Sequence, residues 1–233
     1  MRIAVIGSTR IASIHISALL KCRIEKIFTI SRQIKKAKDF LTKYDYSDCK
    51  NVIAADYKVL DKYKFDLIIV CVNTNYHHDC IERIKKRSTP IFVEKPLISI
   101  NSIGKNYEHL IKEIYKKYKN LVVNYPMKYF AQSIKKVCKF DKRIKKIEIN
   151  YITNGKHVFQ DIRDDLLPHA LSFVYEFFKH RKKFEIKRIE QKSNKNFWQG
   201  KIYYNQVECI FNFKEIKIKQ SKLYLRINNK KIN

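Results

Sequence analysis

Arg2-Ile3-Ala4-Val5-Ile6-Gly7-Ser8-Thr9-Arg10-Ile11-Ala12 is the stretch on which the fold turns. The apolar run that ends at Ile6 is short enough for a buried strand, Gly7 breaks it, and a helical pattern begins at Ile11. Outward from this unit the motif repeats. Further strand candidates cover residues 26–30, 51–54, 66–72, 90–94 and 121–124, and helix candidates cover 11–21, 34–44, 57–63, 78–87 and 102–118. Short apolar runs alternating with amphipathic helices make a parallel sheet covered on both faces, and right-handed crossovers make it doubly wound.

After Pro126 the pattern changes. A helix is expected near 129–139, then a strand at 145–152, a polar loop with Gly155 and His157, and a second helix from about Leu166. Strands follow at 184–190, 197–204, 206–213, 215–219 and 222–227, the last two marked by strict alternation in Ile216-Lys217-Ile218-Lys219 and Leu223-Tyr224-Leu225. Such alternation belongs to a sheet with one packed face. The expected architecture is therefore α/β: an N-terminal Rossmann-type doubly wound parallel sheet over 1–125, followed by a small α+β domain with a mostly antiparallel sheet over 126–233.

The chain has 233 residues, 45% of them hydrophobic, which suffices for a sizeable core and excludes overall disorder. No apolar run approaches the roughly 20 residues of a spanning helix, and Ile3 to Ile6 is too short for a signal-peptide core, so a cytoplasmic protein is expected. Six cysteines form no C-x-x-C pair and read as reduced, structural thiols. The formal charge of +28 raises polyanion binding, but the Lys and Arg residues are scattered as short pairs and a solvated basic surface is the favoured reading.

Gly7 to Ala12 lies where a dinucleotide fold sets a pyrophosphate against backbone N–H groups. Of the G-x-G-x-x-G pattern only the first glycine stands; Thr9 takes the second position and Ala12 the third. These residues taken alone fit equally a strand-turn-helix without ligand. The second strand ends in Ser31-Arg32, where a ribose-binding acid would otherwise stand, and a hydroxyl with a guanidinium suits a 2'-phosphate. NADP is accordingly expected over NAD.

Four segments in order, Gly7 to His15, Asn73-Thr74-Asn75-Tyr76-His77-His78, Val93-Glu94-Lys95-Pro96-Leu97 and Asp165-Leu166-Leu167-Pro168-His169, resemble the Gfo/Idh/MocA family of oxidoreductases. The resemblance implies hydride transfer between a nicotinamide and a small substrate, mostly a sugar, sugar derivative or nucleotide-sugar. It makes Lys95 and His169 the catalytic pair, with Lys95 polarising a substrate oxygen and His169 passing the proton. Asp165 joins them as the residue that orients substrate or His169, or else as the N-cap of a helix whose first turn holds Pro168. The resemblance also implies a cis Lys95–Pro96 bond. The expected cofactor-binding set is Gly7, Ser8, Thr9, Arg10, Ile11, Ser31, Arg32, Asn73, Asn75, His78, Glu94 and Lys95. No metal is expected, since neighbours such as His77, His78, Asp79 and Cys80 diverge along the chain.

A relative that keeps the dinucleotide fold but serves as a catalytically inactive scaffold or sensor is the alternative, motivated by Thr9 and the short second domain. An anionic sugar derivative suits the basic charge. A homodimer is expected through the second sheet, with Trp198, Tyr203 and Phe211 supplying apolar area if they face outward.

Overall fold

Strand β1 (Arg2–Ile6) is buried from Ile3 onward on both of its faces, which a central strand of a helix-covered sheet requires. The computed structural model describes residues 1–99, 106–138, 143–155, 157–180, 186–204, 206–228 and 230–232. The chain divides into two units, Met1–Asn124 and Tyr125–Asn233.

In the first unit β1 is followed by α1 (Arg10–Leu20), β2 (Lys26–Ile30), α2 (Ile34–Lys43), β3 (Val52–Ala55), α3 (Val59–Lys62), β4 (Leu67–Val70), a 3-10 turn (Thr74–Tyr76), α4 (His77–Glu82), β5 (Ile91–Glu94), α5 (Tyr107–Lys117) and β6 (Leu121–Asn124). The six strands are parallel in the order β3-β2-β1-β4-β5-β6. That is a doubly wound dinucleotide-binding order, with its switch point between β1 and β4. One face packs Ile3, Val5 and Ile69 against Ala12 and Ile16 of α1 and Phe40 and Leu41 of α2. Two helices are shorter than the apolar periodicity predicts: 57–63 narrows to Val59–Lys62, and 78–87 to His77–Glu82. The first part of the helix expected over 102–118 lies outside the described residues.

The second unit runs α6 (Pro126–Val137), β7 (Lys146–Thr153), α7 (Gln160–Phe178), β8 (Ile186–Asn194), β9 (Phe197–Tyr204), β10 (Val207–Glu215), β11 (Lys222–Ile227) and β12 (Lys230–Ile232). Its sheet has the order β12-β11-β7-β10-β9-β8, all neighbours antiparallel except β7 and β10. Helix α7 lays Ile162, Leu166, Ala170, Phe173 and Val174 into the core, an i, i+4 stripe backed by Ile147, Ile149, Phe211 and Phe213 of the sheet. Trp198 and Gly200 share the inner face of β9. A Cβ on Gly200 would stand 2.1 Å from the Trp198 ring, so glycine is what lets the indole lie flat along its own strand.

Three expectations are corrected here. Helix α7 starts six residues before Leu166, with Pro168 inside it and Asp165 in its second turn, so Asp165 is not the N-cap; Phe159, at φ 50°, precedes the first turn instead. The apolar stripe already begins at Ile162, and its burial outweighs the one N–H that Pro168 lacks. The alternation at residues 216–219 makes no strand, because β7 ends at Thr153, whose carbonyl accepts the Ile216 N–H at 3.1 Å as the last rung of the ladder. Trp198 and Phe211 face the core at 3% and 0% exposure. The outer face is polar instead: Asn212 Nδ2 donates to Asn150 at 2.7 Å, Asn150 Nδ2 to Glu148 at 3.0 Å, and Glu208 pairs with Lys201 and Lys146.

No described helix is long and apolar enough to cross a membrane. All six cysteines are free thiols.

Candidate active site

The turn after β1 is set by backbone geometry. Gly7 has φ 129°, and a Cβ there would stand 2.6 Å from the Cys71 carbonyl oxygen, so only glycine fits. Thr9, in the position of a second glycine, caps α1: its Oγ1 accepts the Ala12 N–H at 3.2 Å and donates to the Cys71 carbonyl at 2.9 Å. Its side chain is thus committed to the helix end and to the backbone beside β4. No acidic residue stands in the first turn of α1, and Arg10 opens it, so the donor set suits an anion such as a pyrophosphate. Ser8 and Ser31 share a hydroxyl contact of 2.6 Å that ties the exits of β1 and β2 together. Arg32, one residue further, is exposed.

The exit of β4 forms an Asx turn, with Asn73 Oδ1 accepting the Asn75 N–H at 3.1 Å. Asn73 and Asn75 are exposed and His78 is half-buried. Its neighbour His77, 1% exposed, is the residue that ties loops: Nδ1 lies 2.8 Å from the Pro96 carbonyl and Nε2 3.1 Å from the Val72 carbonyl. Burial pushes this imidazole below its ordinary range, against the pull of the two carbonyls and of Glu94.

Glu94 ends β5, and its Oε1 receives His15 Nε2 at 2.7 Å and Asn124 Nδ2 at 2.8 Å. Burial pushes the carboxyl up, but these two bonds and the His15 charge outweigh it and hold the group below the usual carboxylate range. Lys95 follows, half-buried, on a cis Lys95–Pro96 bond. Sequence reasoning missed His77 and Asn124 as parts of this assembly. It quoted His15 without a role, and the signal was there: His15 sits on the same helix as the Gly7 turn.

The second unit contributes Asp165 and His169, four residues apart and so on one face of α7. Asp165 stands beside two residues not singled out for a role. Donor atoms of His157, Asp165 and Glu215 lie within 4.8 Å of one another, a set that could hold a cation. Glu215, 1% exposed, accepts the His157 N–H at 2.9 Å and faces its Nδ1 at 3.0 Å. Gly155 permits this clasp, since a Cβ there would stand 1.7 Å from the Glu215 carboxylate. Burial lowers the His157 imidazole, yet the Glu215 bond and the charges of Glu215, Asp165 and Asp161 outweigh that and raise it. Of the expected catalytic residues, Lys95 belongs to the first unit and Asp165 and His169 to the second.

A six-stranded sheet in Rossmann order with the Gly7 turn at its switch point defines a dinucleotide-binding protein. A family model described as an oxidoreductase family with an NAD-binding Rossmann fold matches residues 1–125. The chain belongs to this Gfo/Idh/MocA family and is by class a nicotinamide-dependent oxidoreductase. Comparison of the sequence with curated proteins gives no match.

Among solved structures, a myo-inositol dehydrogenase from Corynebacterium glutamicum is similar at TM-score 0.77 and 13% identity, over 100% of this chain and 74% of that one. A myo-inositol dehydrogenase from Lactobacillus casei, in complex with NAD(H) and myo-inositol, is similar at TM-score 0.73 and 12% identity, over 97% and 71%. A UDP-N-acetylglucosamine 3-dehydrogenase from Acidithiobacillus ferrooxidans is similar at TM-score 0.69 and 10% identity, over 97% and 73%. At such identities these likenesses speak for the fold.

Proposed function

We propose that this chain is an NADP-preferring oxidoreductase acting on a sugar-like or nucleotide-sugar substrate, a carbonyl, alcohol or imine. The observation that carries the reading is the anchored exit of β5: Glu94 is tied to His15 and Asn124, and the residue that follows it is Lys95. The nicotinamide supplies or accepts the hydride. Lys95 polarises the substrate oxygen and steadies negative charge on it, His169 moves the proton, and Asp165 orients the substrate or His169. Gly7 to Ile11, with Asn73, Asn75, His78 and Glu94, hold the dinucleotide, and Ser31 with Arg32 receive its 2'-phosphate. Residues 1–125 are the cofactor domain and 126–233 the substrate and oligomerisation domain. The compounds for which the structural relatives are named, myo-inositol and UDP-N-acetylglucosamine, support the substrate class.

Titration with NADPH and NADH, followed by turnover against a panel of cyclic polyols and nucleotide-sugars, tests this. NADPH should bind more tightly, Lys95→Ala and His169→Ala should each lower kcat by about 10²–10⁴, and only His169→Ala should leave nucleotide affinity in place. Nucleotide binding without turnover of any panel member would favour the inactive scaffold, and no binding of either nucleotide would end the oxidoreductase reading. We also place the protein in the cytoplasm as a homodimer through the outer face of the second sheet. Because that face is a ladder of amides and ion pairs, its association should be wet and salt-dependent, which sedimentation across a salt series would show.

A further inference from the structure

At the carboxyl ends of β2, β3 and β4 two guanidinium groups are each laid over a tyrosine ring. Arg32, two residues past β2, has its Cζ 4.4 Å from the ring centre of Tyr76, which ends the turn after β4. Arg83, the C-cap of α4, has its Cζ 5.3 Å from the ring centre of Tyr57, two residues past β3. Helical side chains lean toward the amino end of their helix, so Arg83 reaches back along α4 toward the strand ends. Both tyrosines belong to one neighbourhood. The Tyr57 hydroxyl is 3.0 Å from the buried Cys80 thiol of α4, and the charges of Arg32 and Arg83 act on that hydroxyl and that thiol alike. Asp79 is the acidic group acting on the same thiol.

Two exposed arginines whose charges reach the same hydroxyl and thiol repel each other, and stacking on a ring offsets only part of that. The arrangement has a use if an anion sits between them. A phosphate monoester carries about −1.5 to −2 charges at neutral pH, so a single guanidinium leaves roughly half of it unmatched and two nearly balance it. A guanidinium held flat on a ring also gives up less side-chain freedom when its N–H edge meets phosphate oxygens.

We propose that Arg83, braced by Tyr57, is a second specificity-determining residue that joins Arg32, braced by Tyr76, in a two-guanidinium site for the 2'-phosphate of the dinucleotide. This rests on the NADP reading of Arg32 and adds Arg83, which lies 51 positions further along the chain on another element, with Tyr57 as its brace.

The test uses the full chain and two fragments of the cofactor, adenosine 2',5'-bisphosphate and 5'-AMP, titrated by calorimetry at low salt. The unaltered protein should bind the bisphosphate at least about tenfold more tightly than AMP, and Arg83→Ala should take most of that ratio away with AMP affinity unchanged. Tyr57→Leu should lower the ratio by about threefold, Tyr57→Phe should keep it, and Arg83→Lys should keep part of it. Unaltered AMP binding in each variant shows that the fold is intact. A ratio in Arg83→Ala equal to that of the unaltered protein, with Arg32→Ala abolishing the preference, would overturn the two-guanidinium site and leave the NADP reading standing. No preference in the unaltered protein would overturn both.

Discussion

Each unit ends a strand on a glutamate clasped by a distant histidine, and the two pairs behave oppositely. In the first unit Glu94 and His15 are similarly sheltered, at 16% and 18% side-chain exposure, and Asn124 adds a second bond to the carboxylate. There it is the carboxyl that is held low. In the second unit Glu215 is sealed at 1% exposure while His157 stands 51% exposed, and it is the imidazole that is raised. The lesson is that one ion-pair chemistry gives opposite pH dependences according to which partner has the larger choice of environment. Glycine shows a similar contrast: Gly7 is pressed by backbone, Gly200 by a side chain.

The largest effect should come from Gly7→Ala. The substitution meets both a positive φ, worth about 1–3 kcal/mol of strain, and a carbonyl that cannot rotate away, worth about 1–3 kcal/mol more. Chemical denaturation should show a stability loss near their sum, with nucleotide binding lost as the turn deforms. Gly200→Ala should be milder, about 1–3 kcal/mol, because the Trp198 ring can shift at the expense of its stack on Phe213, 5.3 Å away. Equal losses for the two glycines would erase the contrast between backbone and side-chain constraint. Trp198 fluorescence should change in Gly200→Ala and hold in Gly7→Ala molecules that remain folded.

Next in size is Glu94→Gln, which should lose about 1–2 kcal/mol at neutral pH as charge-assisted bonds to His15 and Asn124 become neutral ones. A carboxyl held below its unfolded value of 4.5 contributes stability that is present above that value and is lost as pH falls through its folded value. Urea unfolding of the unaltered protein and the variant should therefore converge on the acid side of that window. A constant gap down to the lowest pH would mean that the carboxylate charge plays no part.

The smallest effect belongs to His157→Asn. An imidazole raised above its unfolded value of 6.5 contributes stability that is complete below that value and disappears as pH rises through its folded value. With half of the side chain in water, screening keeps this below about 1 kcal/mol. The unaltered protein should thus lose a little stability as pH rises above 6.5 that the variant does not. A variant with the same slope would move the pH dependence elsewhere.

The Rossmann half was readable because a buried parallel strand and an amphipathic helix leave unmistakable runs, and Gly7 marks the turn between them. The site was legible where a residue type carries its chemistry with it, as in Glu94-Lys95-Pro96. What the sequence could not tell was which of two adjacent histidines is buried: His77 and His78 look alike in a row, and only the packing of α4 turns His77 onto two carbonyls. The Asp165 helix was started too late because Pro168 reads as a first-turn residue, whereas a stripe from Ile162 to Val174 buries enough apolar surface to carry the helix through it.

Sequence by itself determined the order of elements, the position of the switch-point turn and, through its short motifs, the family resemblance, because hydrophobic periodicity and motif spacing are written along neighbouring residues. Tertiary structure alone decided that His15 and Asn124 meet Glu94, that His157 meets Glu215, and that Arg32 and Arg83 lie over Tyr76 and Tyr57. These contacts span from 26 to 79 positions of chain, and the pairing of residues so far apart is fixed by sheet order and helix packing rather than by anything written beside either partner.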